Sequence, residues 1–127
     1  MEYGSGVTFG VGGFATPTRL AAFVDSGGSV TIFSASATDG SVSIWPGGNY
    51  IDRIIPGAGP TTAIAIHADA AGVYWCDADA GVVRAWRASD GFVFDLARGG
   101  QPVAVTSDGT SAIWADAADR VVRRVPK

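Results

Sequence analysis

The chain has 127 residues, 47% of them hydrophobic and 17% charged, with a mean hydropathy of +0.24. That composition can bury one core and excludes a solvated disordered segment. A formal net charge of −3 and an isoelectric point near 4.8 argue against a nucleic-acid surface, which needs clustered Lys and Arg. The basic residues Arg120, Arg123, Arg124 and Lys127 cluster in sequence but read as a solvated strand face.

Taken in order, the chain is a series of short apolar or alternating runs separated by Gly, Asp and Ser. Residues 1–6 lack the basic start and apolar run of a secretory signal, so a native Met1 predicts a cytoplasmic protein. No run reaches the length of a membrane span, and no membrane partner is expected. A first strand is predicted over Val7 to Val11. Strands then follow at Leu20–Val24, Val30–Phe33, Ser41–Trp45 and Tyr50–Ile55. A second set runs Ala63–Ile66, Val73–Trp75, Val82–Trp86 and Phe92–Ala97. A third set runs Val103–Val105, Ala112–Trp114 and Val121–Val125, and has no fourth member. Each set follows a proline, and Pro17, Pro60 and Pro102 recur at a spacing of about 42 residues, the length of a four-stranded propeller blade. Val42, Val83 and Val122 are taken as equivalent, as are Ile32-Phe33, Tyr74-Trp75 and Ile113-Trp114.

The fold expected is therefore all-β, a β-propeller with three four-stranded blades per chain. The units are residues 17–59, 60–101 and 102–127, with residues 7–14 supplying the strand the last blade lacks. Three blades fall short of the usual four to eight, so a six-bladed ring made by a homodimer is expected. In that ring Val7, Phe9 and Val11 of one copy pair with Val121, Val122 and Val125 of the other.

The segment Pro60-Thr-Thr-Ala-Ile-Ala-Ile66, followed by Val73-Tyr-Trp-Cys-Asp77, resembles the repeat of YWTD propellers and of the related NHL-type propellers. Ile113-Trp-Ala-Asp116 keeps the motif; Ile32-Phe-Ser-Ala35 has lost the acid; His67 stands where the family usually has Asp. The resemblance covers nearly the whole chain. It implies a six-bladed fold whose members mostly bind proteins or other ligands.

Tyr74, Trp75, Ile113, Trp114, Ile32 and Phe33 recur at one place in each repeat and are read as packing between blades. Trp45 and Trp86 end third strands and are read as rim packing. Asp77 and Asp116 end second strands, where an Asp accepts hydrogen bonds from the following turn. Asp39, Asp79 and Asp119 lie in the next turns and, with Arg98 and Gln101, are the candidate ligand-binding residues on one face of the ring. Several carboxylates there could attract a cation or a basic partner.

Catalytic constellations are missing from the pattern. His67 is the only His, Cys76 the only Cys, Glu2 the only Glu and Asn49 the only Asn. Neither a zinc set nor a disulfide can be composed from these. No Gly-x-Ser-x-Gly elbow is present, and the paired glycines are turns rather than phosphate loops. The expectation is a non-enzymatic binding or scaffold module with no cofactor and no metal, taking a protein or small ligand at the ring mouth. The alternatives are an engineered or fragment-derived propeller that binds nothing, and, third, a metal-dependent propeller hydrolase.

Overall fold

The computed structural model describes residues 2–3, 7–8, 17–36, 40–45, 53–56, 59 and 62–127. Every regular element among them is a strand, and none is a helix. A short ladder joins β1 (Glu2–Tyr3) to β2 (Val7–Thr8). The first large sheet holds β3 (Pro17–Val24), β4 (Val30–Ser36), β5 (Val42–Trp45) and β6 (Arg53–Ile54). The second holds β7 (Ala63–Asp69), β8 (Gly72–Asp77), β9 (Val82–Arg87) and β10 (Val93–Arg98). The third holds β11 (Pro102–Ser107), β12 (Ser111–Asp116) and β13 (Val121–Pro126). In each sheet neighbours in space are neighbours in sequence, and all pairs are antiparallel. The all-β expectation holds. Of the residues foreseen to complete the last blade, 7–8 pair with Glu2–Tyr3, while Phe9 and Val11 lie outside the described residues.

The register shows how the sheets repeat. Val42 stands opposite Ala35, Val83 opposite Cys76, and Val122 opposite Ala115, so the three valines occupy one place. One step along, Phe33, Tyr74 and Ile113 are equivalent, opposite Ile44, Ala85 and Arg124. Matching aromatic to aromatic would set Phe33 beside Trp75, which is one residue out. The true counterpart of Trp75 and Trp114 is Ser34, opposite Ser43 as the tryptophans are opposite Arg84 and Arg123. A one-residue slip changes the face of a strand, so the difference matters for packing.

Each first strand carries a bulge at the same point: between Pro17 and Arg19, between Ala63 and Ala65, and between Pro102 and Ala104. Proline cannot donate to a ladder, and a bulge is where a strand tolerates one. At the bulge of β7 the Ile64 carbonyl accepts a bond from Arg19 Nε of the first sheet at 2.8 Å.

The sheets stack through their faces, with β3 beside β7 and β7 beside β11. Side chains alternate across a strand, and β8 uses both faces. Val73 and Trp75 point back to the first sheet, where they bury Phe33, Val42 and Ile44. Tyr74 and Cys76 point forward to the third sheet, where Trp114, Ala112, Val105 and Val125 cover them. Trp75 and Trp114 are thus knobs, each set into the sheet before its own. Phe33 and Trp86 add a tilted ring pair across the first joint, 5.8 Å between centroids.

Three equivalent turns require a left-handed residue: Gly40 (φ 70°), Gly81 (φ 64°) and Arg120 (φ 58°). Arg120 meets that requirement with a Cβ, at a cost glycine avoids. Replacing Arg120 with Gly is expected to raise stability by roughly 0.5–1 kcal/mol in urea denaturation. Trp75 is fully buried; Trp75→Ala should cost about 3–5 kcal/mol by the same measurement. A cost under about 1 kcal/mol would mean that the knob does not hold the joint.

Candidate functional site

The foreseen ligand residues fall along one edge of the stack, on the turns after β8 and β12 and the link from β10 to β11. Backbone bonds stitch this edge together. Gly99 N donates to Gly81 O (2.9 Å), Ala117 N to Gln101 O (2.9 Å) and Ala78 N to Thr62 O (3.0 Å). Asp79, Asp119, Arg98 and Gln101 are therefore brought to one surface, and all four are exposed. Asp39 lies outside the described residues.

Beneath that surface the strand-end acids are buried, Asp77 at 2% exposure and Asp116 at 3%. Asp77 accepts from Ala80 N at 3.0 Å. Asp116 accepts from Gln101 N (3.1 Å), Ala118 N (3.0 Å) and Asp119 N (3.4 Å). The turn role read from sequence is correct. Gly100 lies so close to Asp116 that a Cβ there would overlap its carboxylate. Glycine is what lets the link pass over the acid.

Two arginines complete this arrangement, and sequence reading missed them. Arg84 reaches Asp77 at 3.7 Å and Asp95 at 3.1 Å. Arg123 reaches Asp116 at 3.3 Å and also pairs with Asp119. The signal was present, since Trp75-Cys-Asp77 precedes Val82-Val-Arg84 just as Trp114-Ala-Asp116 precedes Val121-Val-Arg123. In the first sheet the same places hold Ser34, Ser36 and Ser43, all buried. A buried carboxylate needs its charge compensated, and a serine pair needs no such partner.

The exposed candidates are also partly engaged. Asp79 accepts from Thr62 Oγ1 at 2.7 Å. Arg98 pairs with Asp95 at 2.6 Å, with its own side chain 78% exposed. What remains free for a ligand is the outer half of each charge, arranged with both signs present.

The opposite edge holds a second polar cluster. Asp69 opens the β7–β8 turn and accepts from Ala71 N at 2.8 Å and Tyr74 OH at 3.2 Å. It also receives Ser107 Oγ at 2.5 Å and Lys127 Nζ at 2.6 Å from the third sheet. Ser107 has one hydroxyl proton and gives it to Asp69, so the 2.9 Å contact with His67 requires His67 Nε2 to donate. Lys127 also lies over the Tyr74 ring, 5.8 Å from its centroid. His67 thus ties sheet to sheet. Burial pushes the Tyr74 phenol up, aided by the Asp69 charge.

Cys76 is equally unsuited to chemistry, because burial pushes its thiol up to about 12. Among the described residues no group of three His, Cys, Asp or Glu side chains converges to hold a metal.

Burial alone would raise the Asp69 carboxyl, but bonds from Lys127, Ser107 and Ala71 N outweigh it and hold it below the usual value. The Gln101 amide, with Asp119 N, Ala118 N and Arg123, does the same for Asp116 against a smaller effect of burial. The Thr110 and Ser111 amides lower Asp108. A carboxyl lowered in the folded state contributes stability above its unfolded value, about 3.9. That stability is lost as pH falls through the lowered folded value. Thermal melting is therefore expected to be flat from neutral pH to about 5 and to fall below about 4. Asp69→Asn should lower the neutral plateau and flatten part of the acid limb. An acid limb unchanged in that variant would remove Asp69 from the account.

Compared with known proteins, the chain matches no family model and no curated sequence.

Proposed function

We propose that the chain is a non-enzymatic binding or scaffold module of the β-propeller type, its three large sheets being successive blades. Consecutive strand order within each sheet, first strands side by side and face-to-face stacking support the blade reading. So does the repeated Trp-x-Asp motif, which places an indole in the joint and an acid under the turn in both the second and third sheets.

One observation carries the non-enzymatic part. Among the described residues, Asp116, Ser107 and Asp69 are bound to their own scaffold. Asp116 is filled by three amides and a guanidinium. The Ser107 proton is committed to Asp69, and Asp69 to Lys127. A general base must have a free lone pair within reach of a substrate proton, and these do not.

The binding surface in this reading is the edge bearing Asp79, Asp119, Arg98 and Gln101. Charges of both signs on an exposed rim suit a polar peptide or a small zwitterionic ligand, held with the modest strength of exposed ion pairs. A screen of peptides, glycans and small polar ligands should return a binder. The Asp79→Ala, Asp119→Ala double variant should weaken it at least tenfold while the circular dichroism stays β-type. Undiminished binding would move the site elsewhere. Titration with Ca2+, Mg2+, Mn2+ or Zn2+ should give no stoichiometric complex; tight binding of one ion per chain would favour the hydrolase reading instead.

A further inference from the structure

Each large sheet has a front face, which receives the next sheet, and a back face, which enters the one before. On the front of the first sheet Phe33 and Val42 receive Trp75. On the front of the second, Cys76 and Val83 receive Trp114. On the front of the third, the same register places hold Ile113, Ala115 and Val122. Among the described residues no sheet covers them. Val122 is 73% exposed, whereas its counterparts Val42 and Val83 are buried to 0% and 1%. A shallow apolar hollow of about 200 Å³ lies here, with Ile113, Ala115 and Val122 in its lining together with Val105 and Trp114.

The other end of the stack shows the complement. On the back of the second sheet Ile66, opposite Trp75, packs into the first joint. On the back of the third, Val105, opposite Trp114, packs into the second. The register equivalent on the back of the first sheet is Leu20, opposite Ser34. Leu20 is 64% exposed and Val24, on the same face, 57%. The chain thus carries an empty seat at one end and an unseated apolar strand at the other. Their internal counterparts fit each other twice.

We infer that the front of the third sheet receives the back of the first sheet of a second copy, through Leu20, Ala22 and Val24 seated against Ile113, Ala115 and Val122. The partner is a second copy because the joint continues, in the same register, an interface the chain already makes twice, with Ile113, Ala115 and Val122 as its apolar part and Arg124 where the inner joints have Ile44 and Ala85. The inference rests on reading the sheets as successive blades. The joint is head-to-tail, so it must close into a ring or run on as a filament; two copies would close six blades. It is also weaker than the inner joints. Ser34 stands where they have an indole, and it is already buried within its own chain. Assembly should therefore be reversible and depend on concentration.

Sedimentation equilibrium across about 1–200 μM tests this, with self-association expected above the 12.9 kDa chain mass. Leu20→Lys and Val122→Glu should each shift the midpoint at least tenfold toward monomer. Both side chains are exposed in the single chain, so the monomer's circular dichroism and melting should not change. Mixing the two variants should restore association, because one joint then joins two unaltered faces and the other sets Lys against Glu. Phe92→Lys, at an exposed apolar residue away from both faces, should have no effect. A wild-type chain that stays monomeric at 200 μM overturns the inference. So does an assembly that survives both single variants, or one that only Phe92→Lys disrupts. The blade reading has a separate readout: if association follows the variants as stated but electron microscopy shows no ring or arc of radial sheets, the joint stands and the propeller reading fails.

Discussion

The constraint on which this fold depends is that its sheets are apolar on both faces. In β8, Val73 and Trp75 on one side and Tyr74 and Cys76 on the other are all buried. A strand like that cannot lie on the surface of a two-layer sandwich, where one face meets water. It must be enclosed between two further sheets. Once the middle sheet is so placed, the rest follows from alternation. Its back-facing residues demand a first sheet, its front-facing residues demand a third, and each of those turns some apolar residues outward, Leu20 and Val24 at one end and Val122 at the other.

Charge is fitted into this stack sparingly. Asp77 and Asp116 are buried, and each has amides of its own turn and an arginine of the neighbouring strand. Their contribution is chiefly to orientation: the acid fixes the turn, the turn fixes the link between sheets, and Gly100 lets that link lie against the acid. At the far edge Asp69 does the same between sheets rather than within one, drawing Ser107 and Lys127 of the third sheet onto the hairpin of the second. The two edges are held by different means, local at one and inter-sheet at the other.

Most of this stacking was legible in the sequence because it is written in period-two alternation and in repeated turns. Val83 and Val122 could be matched by eye, as could Asp77 and Asp116. What could not be read was register where the chemistry changes. Phe33 looks like the partner of Trp75, and only the ladder shows that Ser34 holds that place. The Asp–Arg pairs were missed because their members are separated by a turn, and each residue alone reads as a solvated charge. The His67, Ser107, Asp69 and Lys127 cluster joins residues far apart in the chain, for which no local pattern exists. Asp79 and Asp119 lie on one edge but not at one register: Asp119 stands where the second sheet has Ala80.

The replacement of Trp, Asp and Arg by Ser34, Ser36 and Ser43 in the first sheet makes the three units unequal in strength. In arrays of stacked units, stability is a sum of what each unit holds by itself and what it shares with its neighbours. The second sheet has its own Asp–Arg pair and a tryptophan joint on either side. The first has one such joint, with Ser36 and Ser43 at the places of the pair. Amide hydrogens of the first sheet are thus expected to exchange through a smaller, more local opening than those of the middle sheet. By that sum the first sheet shares less with its neighbour than the second does, which makes it the part more readily remodelled by whatever comes to lie against it.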